Sequence, residues 1–103
     1  MRKISPRDHT AQRAWEALDI ATIEGASVRL HWTDRPYVWH VNDGPEVFVP
    51  LDGRVTMHYR REGVIGALVL EPGDICHAAV GDEHVAHPHG PVRILVVEKA
   101  GSV

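Results

Sequence analysis

The chain has 103 residues, 44% apolar and 24% charged, with a net charge of −3 and a sequence pI near 6.2. That size and composition suit one soluble globular domain with a core of its own. The acidic balance, with no Lys/Arg cluster, argues against nucleic acid as a partner, and apolar runs of only a few residues exclude a bilayer-spanning segment. The opening residues never develop the apolar stretch of a signal peptide. The single cysteine, Cys76, cannot close an internal disulfide, so a reducing, cytoplasmic setting is expected.

SPRD at 5–8 reads as a short helical turn, with Ser5 as N-cap, Pro6 where its missing N–H costs nothing and Asp8 in the first turn. The helical pattern fades by Trp15, and from about residue 19 the chain reads as strands. DIATIE (19–24) alternates, with Ile20 and Ile23 as its inward candidates, and stops at Gly25. SVRLHW sets Val28, Leu30 and Trp32 against Arg29 and His31, then breaks at TDRP. YVWHV ends at NDGP, EVFVPL at DG, RVTMHYR at REG, VIGALVL at EPGD and ICHAAV at GDE, and VRILVVE closes the series. Eight or nine short strands at roughly 8–12-residue spacing are the pattern of an all-β sandwich or barrel. With no interior helix to carry parallel crossovers, the pairing should be antiparallel. The expectation is one domain over 1–103, with a barrel core at about 19–99 and an N-terminal extension at 1–18.

The compositional oddity is histidine, eight in all, of which His77, His84, His87 and His89 fall close together. Histidine is the commonest metal ligand and a frequent acid–base group. In WHVNDGPEVF (39–48), His40 and Asn42 point to one face of a strand. NDGP then reads as a reversal that brings Glu46 back beside them, so the three are expected to converge on a hairpin. In EPGDICHAAVGDEHVAHP, a turn near Gly81-Asp82 would put His77 and His84 on one side of a second hairpin and His87 on the other. His87 and His89 flank Pro88 as loop residues, while parity leaves His31 and His58 open between pocket and exterior. Cys76 is expected as a small buried hydrophobe, and Trp15, Trp32 and Trp39 as core or dimer contacts.

These residues resemble the two motifs of the cupin superfamily. The first has the form G-x5-H-x-H-x3/4-E-x6-G, and His40-x-Asn42-x3-Glu46-x6-Gly53 keeps every interval, with Asn42 where the second histidine belongs and Asp34 in place of the first glycine. The second has the form G-x5-P-x-G-x2-H-x3-N. Gly73, Gly81 and His84 are retained there, while Ala79 replaces the proline and Pro88 the asparagine. The likeness covers about residues 26–99 and is to the small single-domain cupins. It implies an antiparallel jelly-roll barrel, the double-stranded β-helix, with a pocket at one mouth.

It also implies a divalent metal, Fe, Mn, Zn or Ni, held by His40, Glu46 and His84, with Asn42 and His77 as candidates for binding substrate or water. Two imidazoles and a carboxylate that leave positions open are the ligand set of non-haem iron oxygenases and suit catalytic zinc or manganese. The functions implied are a metal-dependent dioxygenase or isomerase acting on a small polar molecule, or a barrel that binds or senses a small ligand without turnover. A homodimer is the expected assembly.

Overall fold

The computed structural model describes residues 1–101. Among these residues a single 3-10 turn, Pro6–Asp8, is followed by nine strands: β1 (Glu16–Ile23), β2 (Ala26–Thr33), β3 (His40–Val41), β4 (Glu46–Asp52), β5 (Val55–Arg61), β6 (Val64–Leu70), β7 (Cys76–Ala78), β8 (Glu83–Pro88) and β9 (Val92–Lys99). They form two sheets, β1-β2-β9-β4-β7 and β3-β8-β5-β6. Every pairing is antiparallel, as the short spacing of strands and turns predicts. The 3-10 turn has Pro6 at its start, but Ser5 makes no side-chain cap.

The alternation of β9 organises the interior. Val92, Ile94, Val96 and Glu98 are buried on one face, and their partners on β4 are Glu46, Phe48 and Pro50, buried likewise. Met57, Ala86, Val55 and Leu70 of the second sheet close over them, with Cys76 from β7. At about 25 cal/mol per Å² of apolar surface, this layer is the main source of stability. The interior is graded along the strands. One end is apolar apart from Thr33, buried opposite Val92, and the other ends in Glu46, Glu98 and His84. Gly53 takes φ 71° at the turn from β4 to β5, and a Cβ there would lie 2.9 Å from the Pro91 carbonyl, so this corner demands glycine.

Four local expectations change. The first strand begins at Glu16, not 19, because Trp15, at φ 65°, turns the chain and donates its N–H to the Trp32 carbonyl at 2.8 Å. Ile23 is 60% exposed, since β1 is an edge strand whose register slips between Asp19 and Ala21. YVWHV keeps only His40 and Val41 as strand, because Pro36 lacks a donor and the stretch before His40 holds to β8 through Tyr37 N–H alone, 3.4 Å from the Ala86 carbonyl. ICHAAV shortens to Cys76–Ala78.

The two expected hairpins are absent. His40–Val41 pairs with β8 in one sheet, while Glu46 begins β4 in the other, so 42–45 is a corner between sheets. The stretch 79–82 is likewise a corner, from β7 on β4 to β8 on β5.

The N-terminal extension is tied across the outside of the first sheet by Arg93. Its side chain pairs with Asp52 at 2.8 Å, and it donates to the carbonyls of His9 (2.9 Å) and Arg7 (3.1 Å) and to Thr10 Oγ1 (2.9 Å). This strap delivers Trp15 to the rim of the interior, where it packs against the core.

Candidate metal centre

The polar end of the interior gathers three ligating side chains from three strands. His40 on β3 stands opposite His84 on β8, in register, with ring centroids 4.4 Å apart. Glu46 enters from the first strand position of β4, across the gap between the sheets. One ligand atom from each of His40, Glu46 and His84 lies within 4.8 Å of the others. His84 is 3% exposed and Glu46 7%.

The hydrogen bonds set the tautomers. His40 Nδ1 lies 2.9 Å from the Val38 carbonyl and His84 Nδ1 lies 2.9 Å from the Asp82 carbonyl. A carbonyl only accepts, so both rings carry their proton on Nδ1 and turn Nε2 inward. This is the orientation that backbone partners impose on metal-bound histidines. The donor set therefore fits a divalent ion: two Nε2 atoms and one carboxylate on neighbouring walls, close enough for a single ion to touch all three.

Asn42 sits behind the carboxylate, 5% exposed. Its Nδ2 donates to Glu46 Oε2 at 3.1 Å and to Glu98 Oε2 at 3.2 Å, while Oδ1 is buried without a partner among the described residues. Asn42 thus clamps two carboxyl groups side by side and leaves Glu46 Oε1 to face His84 Nε2 at 3.1 Å.

The charges of this cluster are interdependent. Burial pushes Glu46 up, but hydrogen bonds from His84, Glu98 and Asn42 outweigh it and hold its carboxyl below the ordinary value. Burial, and then the shared proton with Glu46, push Glu98 up to about 8. Burial lowers His84, but Glu46 and the Asp82 carbonyl more than offset this and leave it raised. At neutral pH, then, Glu98 is protonated beside an ionised Glu46, and that carboxylate favours the charged form of His84.

A cavity of about 220 Å³ opens onto the cluster. Trp15, Tyr37, Phe48 and Val96 supply apolar wall, while Arg29, His31 and Glu98 join the ligating residues as polar wall. Tyr37 packs edge-on against both Trp15 (5.3 Å) and His40 (5.2 Å), so the strap and the ligand are braced through one ring. His31 gives Nδ1–H to the Trp15 carbonyl at 3.1 Å, and burial lowers its pKa, so it is a neutral imidazole.

Of the sequence candidates, the fold brings His40, Asn42, Glu46 and His84 together and leaves His77 apart. His77 pairs with Val47 on the face of β7 turned away from the core, and is exposed. His87 is on the opposite side of β8 from His84 and packs edge-on against His58, 4.6 Å away, on the outer face. Trp39 lies partly exposed under the Arg60 guanidinium, 4.3 Å from its centroid. Cys76 is buried in the core, and burial raises its thiol pKa. Sequence reasoning did not single out Glu98 or Arg29 as site residues, and it left His31 open between pocket and exterior. Glu98 was within reach, since the Val92, Ile94, Val96 alternation extends inward to it.

No family model matches the chain, and no curated protein matches it. Among solved structures it is similar to a cupin-2 domain containing protein from Shewanella frigidimarina, at 22% identity over 86% of this chain and 84% of that one, with a TM-score of 0.76. It is also similar to hydroquinone 1,2-dioxygenase from Sphingomonas sp. TTNP3 with 4-hydroxybenzoate bound (18% identity, 88% of this chain, 29% of that one, TM-score 0.79). Hydroquinone 1,2-dioxygenase PnpCD in complex with Fe3+ gives 16% identity, 87% of this chain, 29% of that one and a TM-score of 0.79. The chain thus spans under a third of the dioxygenase chains. These likenesses define the class of the fold, a jelly-roll β-barrel, and within that class it is the fold of a small cupin domain.

Proposed function

We propose that this chain, as one cupin domain over 1–103, binds a divalent metal ion and acts as an oxygenase or isomerase on a small polar molecule. The observation that carries the reading is the convergence of His40 Nε2, His84 Nε2 and a Glu46 oxygen, with both Nδ1 atoms fixed by carbonyls. Fe, Mn, Zn or Ni bound there would supply a Lewis acid or a site for O₂ chemistry. The chain's own contribution is to orient Glu46 through Asn42, to hold a proton on Glu98 beside the site, and to wall off water with Trp15, Tyr37 and Phe48. A second reading, a ligand-binding barrel without turnover, draws on Asn42, which stands at the position of a second histidine and spends its amide N–H groups on carboxyl oxygens.

Elemental analysis of protein prepared without tag or chelator, repeated after adding back Fe(II), Mn(II), Zn(II) and Ni(II), separates the two. About one metal per chain is expected, from three ligands of the usual kind. No uptake of any of the four ions would overturn the metal reading and leave the ligand-binding barrel.

The cytoplasm is the proposed location. The reading includes a homodimer, with β6 as its contact. This strand closes the second sheet with a free edge, carries no charged side chain and exposes Val64 (65%), Ile65 (75%) and Val69 (57%). Such an edge invites pairing with its equal across a two-fold axis. Sedimentation should give twice the 11.4 kDa chain mass, and Ile65→Lys should return it to the single mass. A wild-type chain that sediments as a monomer would remove the dimer.

A further inference from the structure

Two side chains of β2 face the cavity without a role in holding metal. Arg29 lines it and carries the one guanidinium among the lining residues. Its Nε donates to Asp19 Oδ1 at 2.8 Å, from the strand position directly opposite on β1. Asp19, itself 83% exposed, meets the guanidinium from the side through Nε alone, and among the described residues Nη1 and Nη2 make no hydrogen bond. One step along the same inner face, His31 spends Nδ1–H on the Trp15 carbonyl and keeps Nε2 as an acceptor. This wall offers a charged two-pronged donor and, beside it, a neutral acceptor.

We propose that the cavity takes a small carboxylate, its carboxyl group on Arg29 and its far end turned toward His40, Glu46 and His84. A guanidinium approached through Nε with both Nη groups free matches a carboxylate in two parallel charge-assisted bonds. The register gives the span. Arg29 pairs with Val96, and Val96 with Phe48, so Arg29 and Phe48 stand two strands apart, about 10 Å between Cα atoms. Glu46 lies two residues beyond Phe48 on the same face. The cavity lies over this stretch of the sheet, and one substituted ring or a short chain bridges it from Arg29 to Glu46. A cavity of about 150 Å³ holds benzene, and the about 220 Å³ here accommodates a ring bearing a carboxylate. Trp15, Tyr37 and Phe48 supply its apolar walls. The proposal names the substrate class of the metal site and rests on that reading for its chemistry, though not for its binding.

The test is calorimetric titration of metal-free and Zn(II)-loaded protein with 4-hydroxybenzoate and with 4-hydroxybenzamide, which differ in the anionic group alone. The wild type should bind the acid at least about tenfold more tightly than the amide, in line with a charge-assisted bidentate pair. Arg29→Gln should bring the two to within about threefold, while Arg29→Lys, which keeps the charge but not the fork, should retain part of the preference. Thermal unfolding checks that each variant folds. If Arg29→Gln does not, Asp19→Asn frees the guanidinium from its brace and should weaken the acid severalfold. Zn(II) uptake is read in parallel. A carboxylate preference in a protein that takes up no metal would sink the metal reading and leave this one standing. Equal affinity for acid and amide, no binding of the acid at millimolar concentration, or a preference that survives Arg29→Gln would overturn the proposal.

Discussion

His84→Ala is expected to empty the metal centre, from about one ion per chain to a small fraction at micromolar protein, and to leave the fold in place. Changes to groups that merely support a ligand lower metal affinity about 10–100-fold, so loss of a ligand should exceed that range. His84 is also the partner of buried Glu46, at 3.1 Å, and the alanine leaves that carboxylate with Asn42 and Glu98 only. The metal-free variant should therefore lose on the order of 1–3 kcal/mol, the usual cost of a buried polar group deprived of its partner. His40→Ala should release the metal with a smaller stability cost, because His40 is half-buried and bonds only the Val38 carbonyl. Asn42→Ala, which unclamps Glu46, belongs in the 10–100-fold range. His77→Ala should change nothing, since His77 lies on the outer face of β7. Competition with a chelator of known affinity gives all four numbers. Stoichiometric metal in both His40→Ala and His84→Ala would show that the ion sits elsewhere.

The ranking of these variants turns on contacts that the sequence reveals unevenly. Alternation reports which side chains share a face, and that was legible: Val92, Ile94 and Val96 turn inward, as do Phe48 and Pro50 beside them. Alternation does not report which strand lies alongside. NDGP carries turn residues, and a turn after a strand reads most simply as a hairpin, yet here the chain crosses to the other sheet. The corner still brings Glu46 toward His40, because the two sheets face each other across a narrow interior. Neighbours across that gap replace neighbours along a hairpin, and the same three residues meet by a different route.

His84 was within reach because the interval from Gly81 resembles the cupin second motif. The sequence holds no such marker for Arg29, and parity alone leaves His31 open. A polar residue that alternates with Val28 and Leu30 looks like the solvent face of an ordinary strand. The reverse holds: Leu30 is 1% exposed on the outer face, the face on which Arg93 anchors the N-terminal strap, and Arg29 and His31 line the cavity. A strap held by one arginine to three residues far away in the chain leaves no periodic trace.

The carboxyl pair behind the metal centre has the second large consequence, a loss of stability with rising pH in the metal-free protein. Glu98 is pushed from its ordinary value of 4.5 up to about 8 by burial and by the proton it shares with Glu46. A raised pKa means that the folded state binds the proton more tightly, so the stability linked to it is complete below 4.5 and is lost as pH climbs through about 8. His84, raised from 6.5, acts in the same sense: its contribution is complete below 6.5 and disappears as pH passes its folded value. Glu46, held low, contributes above 4.5 and loses its share only as pH falls through its depressed value. His31, lowered by burial, also works against acid, below 6.5.

The clean window is therefore pH 6.5–8.5, which spans the Glu98 titration, lies above the ordinary value from which His84 is raised, and finds the other two finished. At ~1.36 kcal/mol per pKa unit, the fall across it should be on the order of 2 kcal/mol. Thermal unfolding of chelator-treated protein at the two ends measures it as a drop of several degrees at the alkaline end. Glu98→Gln keeps a donor toward Glu46 but cannot ionise, so it should flatten the profile and be more stable than the wild type at pH 8.5. A wild-type profile that is level or rises over this window would mean that Glu98 is already ionised at neutral pH. Asn42 would then be holding two carboxylates apart with a single amide, rather than bridging a carboxylate and an acid.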